Sequence, residues 1–187
     1  MRLLHVDASI QGDASVSRLL SAAVVARWRD ARSDLQVVYR DLAAHPLPHI
    51  DHASFATASA HPVLREFLAA DVVVIGAPMV NFGVASQLKA WIDHVAIAGE
   101  TFRYTADGAV GLAGGRRVIV AHARGGVYSH GPAMRDEHAE SHLRAILAFL
   151  GIANPEFIVA EGVALGARQR EAAIAQALER IRALTIV

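Results

Sequence analysis

The sequence has no cysteine, which excludes disulfide bonds and thiol chemistry. It has no excess of either charge, because 18 Lys and Arg residues balance 18 Asp and Glu residues. A neutral chain lacks the basic surface of a nucleic-acid-binding protein and the acidic surface of an electron carrier. No apolar run is long enough for a transmembrane helix, and Asp7 interrupts the N-terminus too early for a signal peptide. We therefore expect a cytoplasmic protein that binds neither nucleic acid nor a membrane.

The composition is that of an ordinary globular protein. Hydrophobic residues make up 53% of the 187 residues and charged residues 19%, which supplies enough apolar side chains for a substantial core. The chain has no internal repeat, low-complexity tract or linker. The sequence therefore predicts a single domain over residues 1–187.

Residues 71–99 are the most informative stretch of the chain. Residues 72–75 are apolar and β-branched, which indicates a strand that is buried on both faces. Residues 78–83 are predicted to form a loop, and a helix is expected to begin near Val84. Apolar residues then recur in this helix at the spacing i, i+3, i+4 and i+7, namely Leu88, Trp91, Ile92 and Val95.

Apolar strands alternate with helices along the whole chain. The predicted strands cover residues 2–6, 35–39, 72–75, 117–121 and 156–160, and the predicted helices cover residues 16–32, 63–70, 84–98, 139–150 and 169–184. Residues 43–60 are expected to be irregular. Residues 99–108 end in the turn signal Asp107-Gly108 and are expected to project from the core.

This alternation predicts an α/β fold with a doubly wound, five-stranded parallel sheet and helices on both faces. Five strands favour the flavodoxin-like order 2-1-3-4-5. In such a sheet, ligands bind beyond the carboxyl ends of the strands. We therefore expect the loops after the first, third and fourth strands to converge on one binding site.

The first of these loops is rich in hydroxyl groups. It offers Ser9, Gln11, Ser15 and Ser17 beside the N-terminus of a helix, where backbone N–H groups favour an anion. It contains no lysine and neither a Walker-A nor a G-x-G-x-x-G motif, which disfavours a nucleotide P-loop and a dinucleotide site. The loop suits a monophosphate ester. The alternative is that Ser15 and Ser17 only cap the helix.

The other two loops favour a flat heterocycle. Gly125 and Gly126 allow a close approach of the backbone, Asn81 can form a hydrogen bond with the edge of a ring, and Phe82 can line a slot. The alternatives are a turn that leads into a helix at Asn81-Phe82 and a plain turn at Gly125-Gly126.

Histidines provide two further candidates. His138 and His142 lie four residues apart beside Glu137 and Glu140, which is compatible with half a metal site or with a solvated helix face. Because an H-E-x-x-H motif is absent, we predict no metal site. His122 falls at the end of a predicted strand and is either a proton donor or a histidine with satisfied hydrogen bonds.

Short motifs over nearly the whole chain occur in the order of one known family. They are Asp7-Ala8-Ser9, Ser15-x-Ser17, Ala77-Pro78-Met79-Val80-Asn81-Phe82, Gln87-Leu88-Lys89, Asp93, Ala98-Gly99-x-Thr101-Phe102-Arg103-Tyr104-Thr105, Arg124-Gly125-Gly126 and Ala160-Glu161-Gly162. With them the sequence resembles the FMN-dependent NADH-azoreductases, a branch of the flavodoxin-like NAD(P)H:quinone oxidoreductases.

The resemblance implies a homodimer with FMN at the subunit interface. NADH or NADPH would reduce the flavin, leave, and be replaced by a quinone or azo compound that takes two electrons. No side chain is expected to be catalytic, because flavin N5 carries the hydride. The implied phosphate site comprises Ser9, Ser15, Val16 and Ser17; the implied ring site comprises Met79, Val80, Asn81, Phe82, Ala123, Arg124, Gly125 and Gly126; and the implied acceptor pocket comprises Phe102, Tyr104 and Phe149.

Two positions depart from the family pattern. Val80 replaces a common tyrosine and Ala123 replaces a common serine, so the implied ring site loses an aromatic wall and two hydroxyl groups. These departures leave the substrate range open and point to one alternative, a non-catalytic FMN-binding regulatory module. The other alternative, a flavodoxin-type electron carrier, is disfavoured by the neutral charge and by the projecting segment 99–108. No basic cluster marks a site for a 2′-phosphate, which favours NADH over NADPH.

Overall fold

The computed structural model describes residues 1–52 and 61–186. The strands are β1 (Arg2–Asp7), β2 (Gln36–Asp41), β3 (Val72–Val80), β4 (Gly83–Val84), β5 (Phe102–Thr105), β6 (Gly108–Gly111), β7 (Arg117–Arg124) and β8 (Glu156–Glu161). The helices are α1 (Val16–Ala31), α2 (Pro62–Ala69), α3 (Ser86–Val95), α4 (Ala139–Phe149) and α5 (Ala167–Arg182). Of the predicted irregular stretch 43–60, residues 53–60 lie outside the described residues.

The main sheet has the order β2-β1-β3-β7-β8, and these strands are parallel. The predicted α/β fold with a parallel sheet is confirmed. The prediction of a five-stranded sheet is wrong in detail, because β4 adds a sixth, antiparallel strand beside β3. The expected projection after α3 is confirmed as a separate hairpin of β5 and β6.

Helices cover both faces of the sheet, and β3 shows why. Val72 and Val74 pack with α1 and α5 on one face, whereas Val73 and Ile75 pack with α2, α3 and α4 on the other. Successive side chains of a strand point to opposite faces, so a strand buried on both faces must be apolar throughout. Burying each such side chain contributes roughly 1.5–3 kcal/mol.

The central strands run further than the sequence predicted. Residues 78–80, expected in a loop, belong to β3, and residues 123–124, also expected in a loop, belong to β7. Proline has no backbone N–H to donate to a neighbouring strand. Pro78 is tolerated because β1 ends opposite Gly76, so β1 has no residue beside Pro78 that needs this hydrogen bond. Because of this extension, the predicted site residues Met79, Val80 and Ala123 lie on strands rather than on a free loop.

A two-residue turn joins β3 to β4. Asn81 has φ 47° and Phe82 has φ 70°, and these positive values at both positions match the turn that suits a twisted hairpin. Phe82 is an unusual residue in this region of backbone conformation, because an L side chain with a bulky ring is strained there.

Within the part of the chain that the structure describes, no helix has the length and apolar character needed to cross a bilayer.

Candidate active site

A cavity of about 550 Å³ lies beyond the carboxyl ends of the central strands. The three loops that were predicted to converge all contribute to its walls, through Ser9 and Ser15 after β1, Asn81 after β3, and Gly125 after β7. A fourth wall, formed by residues 163–164 after β8, was not predicted. The cavity therefore lies where the fold class places ligands.

Buried serines form one end of the cavity. Ser15 caps α1, because its Oγ accepts a hydrogen bond from the Arg18 N–H at 3.3 Å, and it also lies 3.1 Å from the Ser17 Oγ. The Ser9 Oγ accepts a hydrogen bond from the Gln11 N–H at 3.3 Å. Ser9, Ser15 and Ser17 all line the cavity, so the two interpretations of these serines, helix cap and ligand contact, are compatible.

Arg18 holds the serine loop in place. Its Nε and Nη2 donate to the Ser9 carbonyl oxygen at 3.0 and 2.8 Å, while Nη1 and Nη2 donate to the two Asp41 carboxylate oxygens, each at 2.7 Å. The two hydrogen bonds from Arg18 to Asp41 lower the pKa of this carboxyl group to about 2. A bidentate pair of this kind fixes the direction of both side chains. The loop is thereby tied to the end of β2.

A buried carboxylate lies beneath the same loop. Asp7 accepts hydrogen bonds from the Ser21 hydroxyl at 2.7 Å and the Tyr39 hydroxyl at 3.1 Å, and His5 Nε2 lies 3.3 Å away. Burial, and then the Asp7 charge, raise the pKa of Tyr39 to about 12. Ser21, with none of its surface exposed, cannot act as a nucleophile on a substrate. A Cβ on Gly76 would lie 2.0 Å from Asp7 Oδ1, so this position requires glycine.

The β3–β4 hairpin forms the other end of the cavity. Met79, Val80 and Asn81 line it, and Val80 is 39% exposed. Phe82 lies outside the lining, 49% exposed, with its ring edge-on to Tyr128 at 6.2 Å. The Phe82 carbonyl accepts a hydrogen bond from His138, which anchors the turn at the start of α4.

The loop after β7 contributes backbone rather than charge. Ala123 and Gly125 line the cavity, whereas a Cβ on Gly126 would meet the Tyr128 ring at 3.2 Å. The Gly125 and Gly126 carbonyl oxygens accept hydrogen bonds from Ala164 and Gly162, which joins this loop to the one after β8. Gly125 and Gly126 therefore belong to two loops joined by hydrogen bonds rather than to an isolated turn.

The Arg124 guanidinium does not line this cavity. It is buried on the opposite face of the sheet from Ala123, as alternation along β7 requires. It pairs there with Glu140, with Glu137 at 3.9 Å and with Glu161 at 3.6 Å. Only the backbone of Arg124 lies near the predicted ring site.

The aromatic residues implied for the acceptor pocket form a separate cluster. The Phe102 ring lies 4.6 Å from that of Phe149 and 5.5 Å from that of Tyr104. Phe102 is buried in the core, whereas Tyr104 is 74% exposed on the hairpin. None of the three lines the cavity within this chain.

The predicted histidine candidates also lie away from the serine end. His122 is fully buried, its Nδ1 lies 2.8 Å from the Ala77 carbonyl oxygen, and burial lowers its pKa to about 4. It is therefore neutral and has no contact with solvent. His138 and His142 line a shallower depression of about 840 Å³ beside the hairpin. Among residues 1–52 and 61–186, no group of acids and histidines is arranged to hold a metal.

Sequence reasoning missed Arg170. It lies in the first turn of α5, lines the cavity, and donates from Nη2 to the Ala14 carbonyl oxygen at 2.7 Å. One signal was available: Arg170 follows the carboxyl end of the fifth predicted strand, β8, at the same edge as the three predicted loops.

Comparisons with known proteins agree with this architecture. A family described as having a flavodoxin-like fold matches residues 1–185. An FMN-dependent NADH:quinone oxidoreductase of Methylorubrum extorquens is 55% identical over 200 residues, covering 98% of each chain. A protein of the same name from Stenotrophomonas maltophilia is 52% identical over 193 residues, covering 100% of this chain and 97% of the relative.

Solved structures give the same result. The azoreductase from Bacillus anthracis strain Sterne superimposes with a TM-score of 0.89 at 31% identity, covering 98% of this chain and 97% of the other. An FMN-dependent NADH-azoreductase from Bacillus anthracis strain Ames Ancestor, in complex with FMN, gives 0.86 at 25% identity, covering 97% and 96%. The chain therefore belongs to the flavodoxin-like family that includes the FMN-dependent NADH:quinone oxidoreductases.

Proposed function

We propose that this protein is an FMN-dependent NADH:quinone oxidoreductase that transfers two electrons to quinones, azo compounds or both. The observation that carries the proposal is a single cavity with buried hydroxyl groups at one end and a backbone-lined slot at the other. FMN has the same division into a phosphate ester and a flat ring. The relatives that match the whole chain support the same activity.

The serine end suits the phosphate of FMN. Ser9, Ser15 and Ser17 offer hydroxyl groups, and the first turn of α1, which begins at Val16, offers backbone N–H groups that an anion can accept. The Arg18–Asp41 pair keeps these groups in position before any ligand binds. This end would therefore bind the phosphate at little cost in conformational entropy.

The other end suits the isoalloxazine ring. Met79, Val80 and Asn81 would line one side of the ring, and Ala123 and Gly125 the other. Phe82 and Gly126, which both contact Tyr128, would close the site from behind, and Arg124 would contribute only its backbone. When bound, FMN supplies hydride transfer through N5, so the chain needs no nucleophile or strong base.

The chain's own residues would orient the cofactor and exclude water from one side of it. Backbone groups of β3 and of the loop after β7 are rigid, because they are held in the sheet and by the pairing with the loop after β8. The exposed side at Val80 is left for NADH and the acceptor. Both substrates would use this side in turn, which gives a ping-pong cycle.

We further propose that residues 1–187 form one FMN-binding domain and that two copies form a cytoplasmic homodimer. The exposed Tyr104, with Phe102 and Phe149 behind it, would border the acceptor pocket across the subunit interface. Support comes from the position of this cluster, because none of its three residues lines the cavity of its own chain. Light scattering of the FMN-loaded protein would give twice the monomer mass.

A spectrum tests the proposed activity. Purified protein is incubated with FMN, excess FMN is removed, and NADH and then a benzoquinone are added without oxygen. We expect a retained flavin band that NADH bleaches and the quinone restores. Loss of the flavin on removal of the excess would contradict the proposed cofactor site, and a retained band that NADH does not bleach would indicate a carrier or a binding module.

A further inference from the structure

The proposed phosphate site has few positive charges to meet its ligand. A phosphate monoester carries a charge of about −1.5 to −2 at neutral pH, because its second pKa is about 6. Hydroxyl and amide groups line the serine end, and Arg170 is the one charged residue in the lining among the described residues. Arg18 lies nearby, but its guanidinium is already bound to Asp41 and to the Ser9 carbonyl.

Arg170 lies in a position to contact the phosphate. It belongs to the first turn of α5, and long side chains of a helix point back towards the N-terminus of that helix. Its guanidinium reaches the Ala14 carbonyl oxygen, and Ala14 immediately precedes Ser15, the cap of α1. The side chain therefore crosses from α5 to the loop that presents the serines.

The guanidinium also has donors left for a ligand. Within residues 1–52 and 61–186 its side chain makes one hydrogen bond, from Nη2, out of five N–H donors. A planar guanidinium matches the geometry of phosphate oxygens better than an ammonium group does. A hydrogen bond to a backbone carbonyl fixes its direction without neutralising its charge.

We propose that Arg170 is the cationic partner of the FMN phosphate and a specificity determinant that selects FMN over riboflavin, which lacks the phosphate. This inference rests on the proposed function. Arg170 would bind the cofactor directly and would take no part in hydride transfer. The rival explanation is that Arg170 only ties α5 to the turn before Ser15.

Paired flavins and matched variants separate the two roles. Apoprotein of the wild type, Arg170→Gln, Arg170→Lys and Arg168→Gln is titrated with FMN and with riboflavin, and flavin fluorescence is followed. Arg168 is the control, because it lies exposed in the same turn of α5 and outside the cavity lining. Thermal unfolding of each apoprotein checks that the variants fold.

We expect Arg170→Gln to weaken FMN binding about 10-fold to 100-fold, as for the loss of one hydrogen bond between charged groups, and to leave riboflavin binding unchanged. Arg170→Lys should recover part of the FMN affinity, and Arg168→Gln should match the wild type. The 31P resonance of bound FMN should move between the wild type and Arg170→Gln. The salt dependence of FMN binding should also weaken in Arg170→Gln.

The remaining outcomes contradict the inference in distinguishable ways. Equal weakening of FMN and riboflavin binding, with no rescue by lysine, would assign Arg170 a structural role only. Unchanged FMN binding in Arg170→Gln would show that the phosphate has no contact with Arg170, while the proposed function would stand. If the wild type bound neither flavin, the proposed function itself would fail, and this inference with it.

Discussion

The two ends of the cavity are built by different means. At the serine end, polar side chains form a hydrogen-bond network in which buried Asp7 accepts hydrogen bonds from Ser21 and Tyr39, and Arg18 bridges Asp41 and the Ser9 carbonyl. At the hairpin end, the shape comes from backbone conformation and strand pairing, and side chains such as Phe82 remain half exposed. One end is fixed by polar side chains and the other by the path of the chain.

In the proposed function, this difference would allow one site to hold one cofactor and to accept several substrates. A network of connected hydrogen bonds has few alternative arrangements, so it recognises one chemical group. A backbone-lined slot with exposed neighbours constrains a flat ring while leaving its open side adaptable. Substitutions at the serine end should therefore reduce stability and cofactor binding, whereas substitutions at the hairpin end should alter acceptor preference.

Gly76→Ala should have the largest effect, because its Cβ would lie 2.0 Å from Asp7 Oδ1. Moving Asp7 would break its bonds to Ser21 and Tyr39, so we expect the free energy of unfolding to fall by about 3 kcal/mol in urea denaturation. Gly83→Ala is the matched control on the hairpin, since its Cβ would meet nothing closer than 3.9 Å. Similar losses in the two variants would contradict the contrast between the ends.

Asp41→Asn should have the next largest effect, about 2 kcal/mol at neutral pH, because it removes the charge that holds Arg18. The pKa of Asp41 is lowered from 3.8 to about 2, so its stabilising effect is present above pH 4 and is lost as the pH falls from 4 to 2. Urea unfolding at several pH values should show the wild type losing its advantage over Asp41→Asn in that window. A constant difference down to pH 2 would disprove this role of the pair.

Tyr39→Phe should destabilise the protein by about 1 kcal/mol, because Asp7 loses one donor but keeps Ser21. The pKa of Tyr39 is raised from 10 to about 12, so its contribution is complete below pH 10 and disappears as the pH rises to 12. An ultraviolet titration of the wild type should therefore show one tyrosine ionising later than the others, and this late step should be absent from Tyr39→Phe. Tyr104→Phe, at an exposed position, is the control and should leave that late step unchanged.

Phe82→Ala should have the smallest effect on stability, within about 0.5 kcal/mol, because the ring is half exposed and meets the Tyr128 ring edge-on. FMN affinity should be nearly unchanged, whereas the KM for a bulky quinone should change severalfold relative to that for NADH. A large loss of FMN binding with unchanged acceptor kinetics would reverse the assignment of the hairpin end.

Local patterns predicted the core of the fold and the convergence of the loops. The apolar run from Val72 and the serine before α1 are signals that neighbouring residues determine. The extension of β3 to Val80 was not predictable in this way, because it depends on β7 continuing beside it and on β4 folding back. Pairing between distant segments decides where such strands end.

The same limit applies to individual site residues. The sequence motif that contains Arg124 marks a loop near the cavity, but alternation along β7 turns its guanidinium towards three glutamates on the other face of the sheet. Arg170 is separated by 156 residues from Ala14, which it contacts, and no local pattern connects the two. The contact between Arg170 and Ala14 therefore follows only from the packing of α5 against α1.

Initial-rate kinetics with NADH and a benzoquinone test the central claim most directly, namely that one rigid cofactor site has a single adaptable side used by both substrates in turn. A ping-pong cycle on one shared side predicts parallel lines in double-reciprocal plots at several fixed quinone concentrations, and competitive inhibition by quinone at high concentration against NADH. Lines that intersect would show that both substrates bind together, and would contradict a shared open side at the hairpin end.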